Sequence, residues 1–157
     1  MIDFKLTQSF LNPSSIAIIG ASANEKKTGS RIQRYLVAHG YKGKIFPVNP
    51  NRDNIFGLKC YPNLKKIDEK IEHIFIALDG NKIIEAISDA VSLNVKCATI
   101  LSGGFSESGS EGLDLENRIL DIAKKGNIRI LGPNSIGIIN VSDSVVLSAN
   151  AMLELPS

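Results

Sequence analysis

Short apolar runs and amphipathic stretches alternate along the chain. Residues 15–20, SIAIIG, are a β-branched run closed by glycine, the pattern of a strand buried on both faces. Over residues 29–39, Ile32, Tyr35, Leu36 and His39 mark one face of a helix, and Gly40 supplies its stop. Residues 44–48, KIFPV, read as a second strand in which Pro47 is out of place for a central position. Residues 73–78, HIFIAL, are a third, followed by Ile83, Ile84, Ile87 and Val91 at helical spacing. Residues 96–101, KCATIL, are a fourth strand. A helix over 110–126 carries Leu115, Ile119 and Ile122 on one side, and residues 128–131, IRIL, are a fifth strand. Alternation of this kind demands crossover connections and therefore a parallel sheet. The expected fold is α/β: a Rossmann-like, doubly wound, mostly parallel sheet of five or slightly more strands with helices on both faces. It should occupy residues 15–140. Residues 1–14 read as a lead-in with a possible short helix, and 141–157 as an exit segment or linker toward a further domain.

In such sheets ligands bind outside the carboxyl ends of the strands. The residues just past each strand are Gly20-Ala21-Ser22, then Asn49-Pro50-Asn51-Arg52, Asp79-Gly80, Ser102-Gly103-Gly104, and Gly132-Pro133-Asn134-Ser135. Glycine recurs in all but the second turn. There it allows positive φ and close approach of a ligand to the backbone, and the following helix starts offer N–H groups to an anion. The loop from Gly20 to Gly29 is not a P-loop, because its lysines precede the glycine, and Ser22 stands where the dinucleotide fingerprint has its second glycine. The second strand ends on VNPNR rather than on the acid that holds the ribose of NAD. A neutral Asn-Pro followed by Arg52 suits a nucleotide with a phosphate on its ribose, such as NADP or coenzyme A.

Composition narrows the function classes. The 157 residues are 43% hydrophobic and 22% charged, ordinary for one globular domain. Eighteen basic against sixteen acidic residues leave a net charge of only +2, not the basic face of a nucleic-acid binder. MIDFKLTQSFLN has neither the apolar core nor the cleavage site of a signal peptide, and no run approaches a membrane span. A cytoplasmic protein is expected, with Cys60 and Cys97 as reduced thiols.

IAIIGAS, GYKGKIFPVNPNRDNIFGLKCYPNL, LSGGFSESGSEG and RILGPNSIGIIN, in that order, resemble the CoA-binding domain of nucleoside-diphosphate-forming acyl-CoA synthetases. This is the family of succinyl-CoA synthetase α-subunits and ADP-forming acetyl-CoA synthetases. The resemblance runs from about Asn12 to Asn150 and implies coenzyme A as the bound substrate. It implies that Gly20, Ala21, Ser22, Thr28 and Gly29 line the CoA phosphates, and that Val48, Asn49 and Pro50 flank the adenosine. Arg52 would approach the 3′-phosphate, where a guanidinium can bind in a bidentate way. Leu101, Ser102 and Gly103 would follow the pantetheine arm, and Asn134 would help organise the acyl-transfer region. Leu78-Asp79-Gly80 departs from the family's Val-Pro-Ala, placing an acid where a polyanion should lie. Ser135 replaces a cysteine common after GPN.

No catalytic residue and no metal set is expected in this chain. The family works through a phosphorylated histidine, but His39 and His73 fall at the amino edge of the sheet, away from the ligand. The resemblance implies that the histidine comes from a domain beginning soon after residue 157, and that an ATP-grasp domain or subunit phosphorylates it. The whole enzyme would interconvert acid, CoA and nucleoside triphosphate with acyl-CoA, nucleoside diphosphate and phosphate. A free-standing CoA-binding regulatory module and an NADP-dependent redox protein are the competing expectations.

Overall fold

The computed structural model describes residues 4–154. Its centre is a parallel five-stranded sheet in the order β2-β1-β5-β6-β7. These strands are β1 (Ser15–Ile19), β2 (Lys44–Val48), β5 (His73–Ile76), β6 (Cys97–Ile100) and β7 (Arg129–Leu131). They are the strands that the apolar runs predict, each ending within two residues of its sequence-read limit. Between β2 and β5 the chain adds a two-stranded ribbon, β3 (Asn54–Ile55) with β4 (Leu58–Lys59).

Alternation along β1 explains the two layers. Ala17 and Ile19 point to one face, where they join Ile74 and Ile76 beneath α3 (Asn81–Ser92) and α4 (Ser110–Gly126) through Ile83, Ile87, Ile119 and Ala123. Ile16 and Ile18 point to the other, where they join Phe75 and the Ile32 and Leu36 side chains of α2 (Thr28–Ala38). Helices therefore cover both faces, as expected for a doubly wound sheet.

Two parts of this second layer were not read from the sequence in this form. The stretch treated there as the start of an exit segment carries β9 (Val145–Ser148), which pairs antiparallel with β8 (Gly137–Asn140). Val145, Leu147 and Ala149 bury against α2 and β1 in the same cluster as Ile32. The other part is α1 (Phe4–Leu11), the helix the lead-in allowed for, which reaches the amino edge of the sheet. There His73, fully buried at the start of β5, places Nδ1 3.1 Å from the Ser9 carbonyl and Nε2 2.8 Å from Thr99 Oγ1. The ring of Phe10 meets it edge-on.

Pro47 is accommodated because β2 is an edge strand. On its outer side the Pro47 carbonyl accepts the Tyr61 N–H at 2.9 Å, and the Asn49 N–H donates to the Tyr61 carbonyl at 2.9 Å. The position facing outward that lacks an N–H is therefore never asked to donate.

Candidate functional site

Sheet order reverses between β1 and β5, so the crevice of a doubly wound fold should open where those strands end. Two clefts meet there, and both are lined by Gly20, Asn49 and Leu78.

The first cleft, about 440 Å³, runs outward past the end of β2. Its floor is Ile19 and Val48, and one wall is Pro50 and Asn51. A further wall is Pro62, Asn63 and Leu64, with Lys82, Glu85, Ala86 and Asp89 of α3. Lys82 is the one cation lining it among the described residues, since Lys65 reaches Asp89 at 2.6 Å from outside the lining.

The second cleft, about 540 Å³, lies over the β1–α2 turn and extends past the ends of β5 and β6. Ala21, Ser22, Lys26, Lys27, Thr28 and Gly29 line one side; Ala77, Asp79, Leu101 and Ser102 line the other. The turn is closely drawn. Gly20 has φ +86°, and its N–H, like that of Ala21, donates to the Val48 carbonyl at 3.1 and 3.3 Å. The Asn49 amide donates to the Ala21 carbonyl at 2.8 Å and so ties the end of β2 to the turn. Lys27 precedes α2 without a side-chain cap, and while the Ser30 N–H donates to the Lys27 carbonyl at 3.0 Å, the Thr28 and Gly29 N–H groups before it have no intrahelical partner. Orphan donors, the positive end of a helix and two lysines together make a cradle for a phosphate.

A family model for the CoA binding domain matches residues 14–141 of this chain. The chain belongs to the CoA-binding domain family. It is 42% identical over 136 residues to the acetate–CoA ligase [ADP-forming] II of Archaeoglobus fulgidus, covering 87% of this chain and 20% of that protein. It is 34% identical over 136 residues to the acetate–CoA ligase [ADP-forming] I subunit alpha of Pyrococcus furiosus, covering 84% and 29%. Among solved structures it superposes on the Ca. Korarchaeum cryptofilum dinucleotide forming acetyl-coenzyme A synthetase 1, in complex with phosphate and ADP. The TM-score is 0.88 at 33% identity, over 96% of this chain and 32% of that one. The chain thus spans about a third or less of the length of each of these relatives.

Within this CoA-binding domain the structure gathers most of the residues singled out from the sequence. Gly20, Ala21, Ser22, Thr28, Gly29, Asn49, Leu78, Asp79, Leu101 and Ser102 line the second cleft, and Val48 and Pro50 line the first. Ser102 is fixed by donating from Oγ to the Leu78 carbonyl. Gly103 and Asn134 stand just past the second cleft, with the Asn134 N–H donating to the Ser102 carbonyl at 2.9 Å. Arg52 is exposed on the outer turn and lines neither cleft. The sequence reading missed the 62–64 wall and Lys82. Neither carries a local signal, because both reach the cleft only through the order of the strands.

His39 and His73 both lie at the amino edge, away from the clefts. His39 follows α2 with Nε2 3.2 Å from the Leu153 carbonyl. No helix among the described residues is long and apolar enough to cross a membrane.

Proposed function

We propose that the chain binds CoA across the carboxyl edge of its sheet, as the CoA-binding part of an ADP-forming acyl-CoA synthetase. The carrying observation is the meeting of two clefts at Gly20, Asn49 and Leu78, the second of them lined by the uncapped start of α2. Adenosine enters the first cleft between Val48–Pro50 and the 62–64 wall. The phosphates rest on the β1–α2 turn against Lys26 and Lys27. The pantetheine arm runs past Leu78, Leu101 and Ser102 toward Gly103 and Asn134.

The residues here bind, orient and present the thiol. In the complete enzyme, further domains or subunits form the acyl phosphate through a phosphorylated histidine, and the whole interconverts acid, CoA and nucleoside triphosphate with acyl-CoA, nucleoside diphosphate and phosphate. Ile136, Ile139 and Val141 expose apolar side chains beyond the Asn134 turn, a surface that suits such a neighbour.

The test is a calorimetric titration with CoA, dephospho-CoA, NADP and NAD. CoA is expected to saturate the chain, and the nicotinamide nucleotides are not. NADP binding alone would sink the CoA reading in favour of redox chemistry. The same titration assigns the ribose phosphate. Lys82→Ala should weaken CoA by about tenfold, the loss of one charge-assisted contact, and leave dephospho-CoA unchanged. Arg52→Ala, altering a cation outside both clefts, should cost at most about threefold. The reverse ranking would return the 3′-phosphate to Arg52.

Asp79 is the one acid lining the phosphate cleft among the described residues. Asp79→Asn should therefore tighten CoA binding about three- to tenfold, more at low salt than at high. Unchanged affinity at every salt concentration would mean that Asp79 faces away from the phosphates.

A further inference from the structure

Beyond the second cleft the carboxyl edge carries the turn of residues 103–107, tied by side chains of the chain itself. The Gly104 N–H donates to Glu107 Oε1 at 2.7 Å. The nearby backbone N–H groups of Glu107 itself, Gly104 and Phe105 hold the pKa of this carboxylate below its usual value. The Ser106 N–H donates to Glu116 Oε2 on α4 at 3.2 Å. Two backbone donors of the turn, Gly104 and Ser106, thus end on two carboxylates of the chain itself, although both residues are exposed and water could serve them.

The turn is shaped as well as satisfied. Gly104 has φ +91°, a conformation that residues with side chains rarely adopt. A Cβ on Gly103 would stand 3.0 Å from Glu107 Oε1 and 3.6 Å from the Asn134 side chain. Gly103 is therefore a bare stretch of backbone flanked by Glu107 and Asn134. Its place in the edge is fixed by the neighbouring residue, because Ser102 already lines the second cleft. A rod-like ligand with its adenosine at the end of β2 and its phosphates at the end of β1 must cross the ends of β5 and β6 to reach this turn.

We propose that Glu107 is a positioning residue for the thiol end of CoA: its carboxylate holds the Gly103–Gly104 turn as the bare backbone floor on which the end of the pantetheine arm rests. Glu107 touches no reacting atom in this role. Its charge faces the Gly104 N–H, which offsets part of its repulsion of an incoming anion while it braces the turn. The inference rests on the reading that CoA lies along this edge.

Adenosine 3′,5′-bisphosphate ends before the arm begins, so it separates the two readings. Glu107→Ala should weaken CoA by about tenfold and change the bisphosphate by no more than about twofold. Glu107→Gln keeps an acceptor oxygen and should lose about threefold for CoA alone. It also carries the test if the alanine variant does not fold. Wild-type CoA affinity in these variants would overturn the proposal. So would a parallel loss for both ligands accompanied by a fall in Tm, the mark of a turn that matters only for stability. A wild-type chain that binds neither ligand would remove the CoA reading, and this inference with it. A wild-type chain that binds the bisphosphate as tightly as CoA would overturn the inference alone.

Discussion

Gly29→Ala is expected to abolish CoA binding, with at least a hundredfold loss of affinity in a calorimetric titration. The added Cβ would stand 2.3 Å from the Gly20 carbonyl oxygen, a backbone atom with no freedom to move aside. Two effects oppose each other. Alanine is the better helix former by up to about 1 kcal/mol, and Gly29 has ordinary helical φ, so no strain is relieved or added there. Overpacking against backbone costs about 1–3 kcal/mol, and the clash wins. The start of α2 must then back away from β1, opening the cradle proposed for the phosphates. Tm should fall by roughly 3–10 °C. Gly40→Ala is the control. Gly40 has φ +80° with open space around it, so its variant should lose about 1 kcal/mol of stability and keep its CoA affinity. Wild-type affinity in Gly29→Ala would show that α2 does not contribute to the cradle.

Acid should unfold this domain through His73. The ring is fully buried, and burial pushes its pKa from 6.5 down to about 4, only partly opposed by the Ser9 carbonyl. Above pH 6.5 both folded and unfolded states carry a neutral ring, and stability does not depend on it. As pH falls from 6.5 toward 4 the unfolded chain takes up a proton that the folded state refuses. Stability is therefore lost across that window, by on the order of 3 kcal/mol from this residue, and the loss levels off below pH 4. His73→Leu should be less stable at pH 7, because Thr99 and the Ser9 carbonyl lose a partner, yet show a flatter slope between pH 6.5 and 4. Urea titrations at each pH read this directly. An unchanged slope in the variant would assign the acid sensitivity to other groups. Because the ring also holds Ser9 of α1, hydrogen exchange in Phe4–Leu11 should rise over the same window.

What could be read from the sequence divides along physical lines. The three inner strands are apolar runs buried on both faces, a signal that each segment carries by itself, as in SIAII and HIFI, and the two edge strands keep an apolar run with exposed beginnings. The cradle was legible for the same reason: Gly20, Ser22, Thr28 and Gly29 lie in one continuous loop. The 62–64 wall and Lys82 join the first cleft only because the sheet order brings the end of β2 beside α3, and no local pattern records that. Arg52 is of the right chemical type in the right turn, but its neighbour Asn51, not Arg52, lines the cleft. The β8–β9 ribbon escaped because GIIN and VVLS are too short to show a period, and because α2, the surface that β9 covers, lies about a hundred residues earlier. His73 could be placed at the amino edge, whereas its burial depends on α1 folding over it.

The proline in β2 has a consequence for how this molecule behaves in a crowd. An open sheet edge is a template on which another chain can pair and begin aggregation. On the outer side of β2 the ladder is already occupied by Tyr61, and one rung has no hydrogen to offer because it is Pro47. A strand from a second molecule would have to displace Tyr61 and would still find a missing bond. Growth by strand addition is thus discouraged at the end of the sheet beside the first cleft.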